Sequence, residues 1–451
     1  MHCTTNTAIR DAFGRIIEFL PDSSITACGG LALAVHHLRY LLMLLHQRLD
    51  AKLPYRGLPG RVRYTAAALL DVRLMALLAG KEDLNDMEAL VADPGFIMAY
   101  GHRKLPSTAT LSRFEGAVDE GLLEEGNRFL LDMYFHYSPR KKYIFIDIDN
   151  TPVPLYGHQE NVKYNGHYGC NCYLPLLAFI DGFPIAVFNG NVDGRKVMVE
   201  KLRPIVERIR EHNPESIIVL RADSGFNGKE LIDLCDELGC YYLIGLAPNN
   251  RLKAMLKEWE PEFVDVFRRP PQVGGCLLRK YGELDDYQAA SWSKPRRVIV
   301  RDYFDEDRSE WDCRFIQTNI PRQSDGRCGK LWRCSAYQLY TQLYCQRGTA
   351  EKYNQEFKVQ AFGDRASSTR FLTNSYRMLL GALCQLCYRV LRSCFFNKRS
   401  SWKNSGLRSF QEAFVLVPAR IVEGKRKVKI FLRLEALNQQ EVRRYWPDYS
   451  P

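Results

Sequence analysis

The stretch Tyr143-Ile144-Phe145-Ile146-Asp147-Ile148-Asp149-Asn150, followed by Thr151 and Pro152, decides how the rest of the chain is read. Its β-branched and aromatic residues predict a strand, and Asn150-Thr151-Pro152 supplies turn chemistry at its end. Asp149 stands at the carboxyl end of this strand. Asp147 lies two residues earlier, so strand alternation puts both carboxylates on one face.

Downstream, Tyr173 to Ile180 and Pro184 to Phe188 read as two more strands, joined by a tight Asp181-Gly182 hairpin turn. A helix is predicted from Arg195 to His212, then a buried strand from Ser216 to Leu220. A helix from Gly228 to Leu238 and a strand from Tyr241 to Leu246 follow. Three antiparallel strands and then alternating helix and strand is the order of an RNase H-like core, used here as an architectural analogy. Short β-like pieces come next: Gln288 to Trp292, Arg297 to Tyr303 and Trp311 to Thr318. Two long helices are expected over roughly 336–359 and 367–394. Upstream, residues 1–140 read as almost entirely helical, with YTAAALLDVRLMALLA (Tyr64 to Ala79) ending at the helix stop Gly80 and a short helix from Leu84 to Val91.

The fold class expected is therefore α/β, an RNase H-like catalytic core with a β-rich insertion, preceded by an all-helical N-terminal domain. The boundaries are 1–140 for the helical domain, which suits DNA binding, 141–249 and 336–395 for the two parts of the core, 250–335 for the insertion, and 396–451 for a basic C-terminal segment.

Three carboxylates from distant parts of the chain could converge on this frame. Asp149 ends the first strand. Asp223 follows the second buried strand in LRADSGF, where it is either a metal ligand or a helix N-cap. Tyr344, Arg347, Glu351 and Lys358 lie at i, i+3, i+7 and i+14 on a predicted helix, within a stripe about 60° wide. That stripe suits a functional face, and equally a solvated face with an Arg347–Glu351 ion pair. Carboxylates that bring two divalent ions together are what phosphodiester cleavage and transfer require, and hard ions prefer such oxygen ligands.

The bulk composition is compatible. Of 451 residues, 46% are hydrophobic and 25% charged, which is globular rather than disordered. A net charge of +11 suits a polyanionic partner. From Arg392 to Arg433, eleven Lys or Arg face only Glu412 and Glu423, as phosphate contact or a solvated tail would require. The fourteen cysteines are scattered; Cys384 and Cys387 sit in an apolar helical run and read as core thiols. No secretory signal is visible, and the most apolar stretches, around 31–45 and 376–396, are too polar to span a bilayer. A cytoplasmic location is expected.

Tyr-x2-Arg-x3-Glu-x6-Lys, present as YCQRGTAEKYNQEFK, resembles the signature of insertion-sequence DDE transposases. GGLALAVHHL, LLAGKEDLNDMEAL, PSTATLSRFE, FIDIDNT, NCYLPLLAF, GNVDG, LRADSGF, GLAPNNRL and FGDRASS, in this order, resemble one branch. It is the group 1 DDE transposases of the thirteen-eighty insertion-sequence family, distant relatives of piggyBac, and the likeness spans roughly residues 28–435. The resemblance implies a metal-binding triad of Asp149, Asp223 and Glu351, with Asp147 a supporting neighbour, and two Mg²⁺ ions replaceable by Mn²⁺. It also implies that Tyr344, Arg347 and Lys358 contact DNA phosphates, Arg347 through a bidentate grip. The partners implied are double-stranded DNA, as terminal inverted repeats and target, and a second copy of the chain in a synaptic homodimer; the setting is a bacterial nucleoid. Trp292, Trp311 and Trp332 are candidates for stacking on a flipped base, or for packing. Pro152-Val153-Pro154 departs from the family's usual Asp-Asp-Pro after the Asp-x-Thr. Two other readings stay open: a catalytically decayed or repurposed transposase that binds DNA without cutting, and a two-metal nuclease that cleaves without transfer.

Overall fold

Runs of alternating or continuous apolar residues bounded by turn chemistry build one large sheet. The computed structural model describes residues 22–54, 63–101, 104–190, 194–268, 276–284, 287–290, 292, 294–305, 310–395, 400, 402 and 405–432. The nine strands of the central sheet are β1 (Tyr143–Asn150), β2 (Leu176–Ile180), β3 (Phe183–Phe188), β4 (Ile217–Ala222), β5 (Tyr241–Leu246), β6 (Phe263–Arg268), β7 (Cys276–Leu284), β8 (Arg297–Asp305) and β9 (Glu310–Thr318). Their order is β6-β7-β8-β9-β5-β4-β1-β2-β3. β1, β4 and β5 run parallel, and every other neighbouring pair is antiparallel. β4 and β5 are buried at every position, as expected of parallel strands covered on both faces.

The β2–β3 turn has φ of 53° at Asp181 and 80° at Gly182, the pair of positive values a two-residue hairpin turn demands. The strand expected from Tyr173 to Ile180 is split. Pro175 carries no N–H to donate, and the Leu174 N–H turns to the Gly190 carbonyl instead (2.6 Å). Cys170–Tyr173 thereby joins a separate three-stranded flap with Val153–Pro154 and Lys163–Asn165. In that flap Val153, from the sequence that departs from the family pattern, is fully buried and pairs with Tyr173.

Beyond β5 the strand reading of the sequence was incomplete. β6 and β7 escaped it, and Gln288 to Trp292 forms no strand at its described positions. The later strands do not stand apart as a separate sheet. β9 pairs with β5, Phe315 opposite Leu246 and Thr318 opposite Leu243, and extends the central sheet.

Helices cover the sheet. Those at Leu31–Leu49, Ala66–Leu78 and Glu120–Tyr137 share a core with β1–β5 and with the 25-residue helix Phe371–Phe395. Thr65 caps Ala66–Leu78 through its side chain, and Gly80, at φ 75°, ends it. A buried carboxylate ties these helices together: Glu115 accepts from Arg73 Nε (2.7 Å) and Arg377 Nε (2.8 Å). Cys384 and Cys387 are buried there, as expected of core thiols. The all-helical expectation for the N-terminal region fails at one described point. Ile25–Thr26 is a short strand that pairs with Ala419–Glu423, itself paired with Val428–Leu432. Short-range periodicity cannot reveal a strand whose partner lies almost 400 residues away. No helix among the described residues is long and apolar enough to cross a membrane.

Candidate active site

β1 and β4 lie side by side and parallel, with Asp147 in register with Arg221. Asp149, at the end of β1, and Asp223, just past β4, therefore emerge at the same edge of the sheet. Two elements hold this edge in shape. The first is a buried ion pair: Arg221 donates to both Asp147 oxygens, Nε to Oδ1 at 2.6 Å and Nη2 to Oδ2 at 2.7 Å. The Asp147 carboxylate is thus engaged by Arg221 on both oxygens. The second is Gly245 on β5. A Cβ there would meet Ser224 N at 2.6 Å and the Tyr344 hydroxyl oxygen at 3.0 Å, so only glycine lets β5 approach the Asp223 turn and Tyr344.

The helical run that brings the remaining residues is not the single regular helix predicted over 336–359. It passes from a short α segment, Ala336–Gln338, through a π segment, Leu339–Tyr344, and a 3₁₀ turn, Cys345–Arg347. An α-helix, Gly348–Gln355, and a second π segment, Glu356–Gln360, complete it. Arg221 gives a physical reason for the irregularity. Its Nη1 donates to the Leu343 carbonyl at 2.7 Å, and a side chain inserted into the ladder distorts a helix locally. Such π turns recur at functional sites.

Arg347 is the hub. Its Nη1 lies 3.5 Å from Asp149 Oδ2, and its Nη2 lies 4.0 Å from Glu351 Oε1. Asp149, Asp223, Glu351 and Tyr344 all raise the guanidinium's pKa against the opposing effect of its burial. Asp149 is mostly buried, and that burial pushes its carboxyl up to about 6, opposed by Arg347 and reinforced by the negative charges of Asp223 and Glu351. Burial also raises the phenol of Tyr344. Asp223 Oδ1 accepts from the Gly225 N–H at 2.8 Å, so the cap role foreseen for it is real and occupies one oxygen. The Glu351 side chain is 72% exposed. Lys358 sits on the second π segment, half-buried, with its charge acting on Asp364.

The structure thus gathers Asp149, Asp223, Tyr344 and Glu351 around the Arg347 guanidinium. It does not draw the acids into a tight cluster: among the described residues, no three His, Cys, Asp or Glu side chains are grouped as metal ligands. The atoms around Asp149 nevertheless fit a hard cation. Beside it, Asn354 Oδ1 and Arg347 Nη1 are buried without a hydrogen-bond partner. An unsatisfied amide oxygen next to a buried carboxylate is a donor pair that suits a hard cation, and the Arg347 guanidinium is the positive charge beside them.

Sequence reasoning missed Asn354, whose Nδ2 donates to Asp149 Oδ2 at 3.0 Å. The available signal was its position three residues after Glu351 on the same helix. It also left Arg221 unread, two residues before Asp223. Trp292 is buried against Tyr287 with ring centroids 5.4 Å apart, and Trp332 is packed against the core beneath β5, so both serve packing. The Trp311 side chain, Asn191 to Asp193 of the GNVDG block, and much of the basic 396–451 segment lie outside the described residues.

Fold and site define a mixed α/β protein with an arginine-bridged acidic centre at the carboxyl ends of neighbouring parallel strands. The sequence profile of the transposase DDE domain, group 1, matches residues 23–447, and the chain belongs to that family. It is similar in structure to piggyBac transposase, solved by cryo-EM as a synaptic complex with hairpin DNA. That likeness has a TM-score of 0.45 at 10% identity and covers 85% of this chain and 79% of the other. No curated protein matches the sequence.

Proposed function

We propose that the chain cuts DNA at the ends of an insertion sequence and joins the freed ends to target DNA, using divalent metal ions. The observation that carries this reading is the placement of Asp149, Asp223 and Glu351 about Arg347 at one sheet edge, in a chain of the transposase DDE family. Asp149, Asp223 and Glu351 would hold two Mg²⁺ ions, with Mn²⁺ able to substitute. When bound, such ions activate a water or a 3′-hydroxyl and stabilise the departing oxygen.

The protein's own part is electrostatic and positional. Arg347 holds the acids' charges together, and its planar guanidinium would suit a bidentate grip on a phosphate. Tyr344, seated against Gly245, donates its hydroxyl to a phosphate oxygen; Lys358 grips the backbone farther along the strand. Asn354 and Arg221 orient without touching DNA, one through Asp149, the other through Asp147 and Leu343. The core is of the RNase H-like kind, in which β3-β2-β1-β4-β5 forms the catalytic sheet and β6–β9 are the insertion. Two copies would pair two element ends in a synaptic dimer, and the net charge of +11 favours the polyanion.

Strand transfer tests the reading. A labelled, pre-cut element end is incubated with supercoiled plasmid in Mg²⁺ or in EDTA. Joining in Mg²⁺ alone is expected, and failure to join in the presence of clean end cleavage would reduce the chain to a nuclease.

A further inference from the structure

The flap that leaves β1 carries exposed rings which neither the fold nor the carboxylate site uses. It begins at Val153, four residues after Asp149, and closes at Tyr173. Tyr156 is 95% exposed, Tyr164 68% and Tyr168 41%. They are three of the four strongly exposed tyrosines among the described residues, so the feature is local rather than a general property of the surface.

Hydrogen bonds fix the flap's backbone at its tip and its base. At its tip, Asn165 Oδ1 accepts the N–H groups of His167 (3.0 Å) and Tyr168 (3.3 Å), and the Gly169 N–H returns to the Asn165 carbonyl (2.8 Å). The rings of His167 and Tyr168 meet edge to face at 4.7 Å. At its base, the Tyr173 hydroxyl donates to the Glu160 carbonyl (2.6 Å), and the Glu160 carboxylate accepts the Phe371 N–H (2.8 Å). Tyr168 lies within electrostatic reach of both Asp149 and Asp223, which points the tip at the acidic edge.

Charge decides what such a surface takes. Between Leu155 and Tyr173 only Glu160 and Lys163 are charged, and Glu160 is engaged by Phe371. A phosphate grip would need a cluster of cations; this surface offers π-faces. Bases inside a duplex are stacked on each other, so the occupant must be unpaired.

We infer that the flap from Val153 to Tyr173 is a stacking platform for unpaired nucleotides of the DNA end at the Asp149–Asp223 edge, with Tyr156, Tyr164 and Tyr168 as its contacts. The inference rests on the DNA-cutting reading of that edge. Aromatic platforms bind bases of any sequence because every base has a π-face, so no sequence preference is expected from the flap itself.

The test uses the full chain in EDTA with two probes, a blunt duplex and the same duplex bearing a short 3′ tail that contains 2-aminopurine. The wild type should bind the tailed probe more tightly and quench its fluorescence. Each Tyr→Ala change should lower the tail preference about ten-fold, while blunt-duplex binding stays as it was and Tyr168→Phe behaves as wild type. Wild-type binding of blunt duplex with no tail preference or quenching would overturn the inference, and this needs no variant to fold. Full quenching by the Tyr156→Ala/Tyr164→Ala/Tyr168→Ala triple variant would overturn it too, leaving the flap as a surface for some other partner. Either result leaves the cutting reading intact if end cleavage persists. Failure to bind either probe would sink both.

Discussion

The acidic edge is held at a cost to stability, and Asp149→Asn measures it. In the folded chain the Asp149 carboxyl titrates at about 6 instead of 3.8, chiefly because it is buried. A raised pKa means that the folded state prefers the proton. The stabilisation that accompanies it is complete below about 3.9 and is lost as pH rises through 6. At pH 7.5, ionised Asp149 therefore costs roughly 3 kcal/mol, at 1.36 kcal/mol for each pH unit of the rise. The near-isosteric amide removes that cost and keeps the shape. Unfolding entropy for a chain of this length is about 0.9 kcal/mol/K, so the variant should melt about 3 °C higher than the wild type at pH 7.5 in EDTA. The advantage should shrink to about a third by pH 4.5 and vanish only below about pH 3.8. Thermal melts across that range, read by intrinsic fluorescence, are the assay. Mg²⁺ should raise the wild-type melting temperature at pH 7.5 and leave the variant unmoved. A variant less stable than wild type at pH 7.5 would refute the reasoning, because Arg347 and Asn354 would then outweigh the burial of the charge.

Three further outcomes follow from the same geometry. Arg221→Met strands the Asp147 carboxylate in the core and should cost about 3–5 kcal/mol in denaturant titration. Combining it with Asp147→Asn should recover at least about 1 kcal/mol; strict additivity would show that the pair is not coupled. Asn354→Ala removes a charge-assisted hydrogen bond to Asp149 and should lower end cleavage about ten-fold, with a smaller loss at raised Mn²⁺ concentration. DNA affinity, measured by anisotropy with a blunt duplex, should fall on the order of 10³-fold between 50 and 200 mM salt if about six phosphates are contacted; a flat response would argue against backbone contact.

The parts of the molecule legible in the sequence are those whose signals are local. β1, the Asp181-Gly182 turn and the β4–β5 alternation rest on neighbouring residues, and the structure has them nearly where the periodicity put them. Asp149 and Asp223 were legible for the same reason, since each ends an apolar strand and the parallel pairing brings the ends together. What escaped depends on distant partners. Ile25–Thr26 becomes a strand only because Ala419–Glu423 lies beside it. The run from Ala336 to Gln360 has a helical pattern, yet the reach of Arg221 to the Leu343 carbonyl spans more than a hundred residues. The stripe from Tyr344 to Lys358 assumed a constant 100° per residue, and the π and 3₁₀ turns break that assumption. Tyr344, Arg347 and Glu351 lie together at the acidic edge, and Lys358, on the second π segment, lies within electrostatic reach of Asp364. Trp292 left stacking on a base and packing open to the sequence, and tertiary packing against Tyr287 decides between them.

The most direct test of the account is cleavage of a labelled duplex carrying the element's own ends, with Mg²⁺ and with EDTA, by wild type and Glu351→Ala. The account predicts cuts at the element boundary that require Mg²⁺ and vanish in the variant, although the exposed Glu351 side chain contributes little to the fold. Boundary cuts that persist in Glu351→Ala, or that form equally in EDTA, would contradict it.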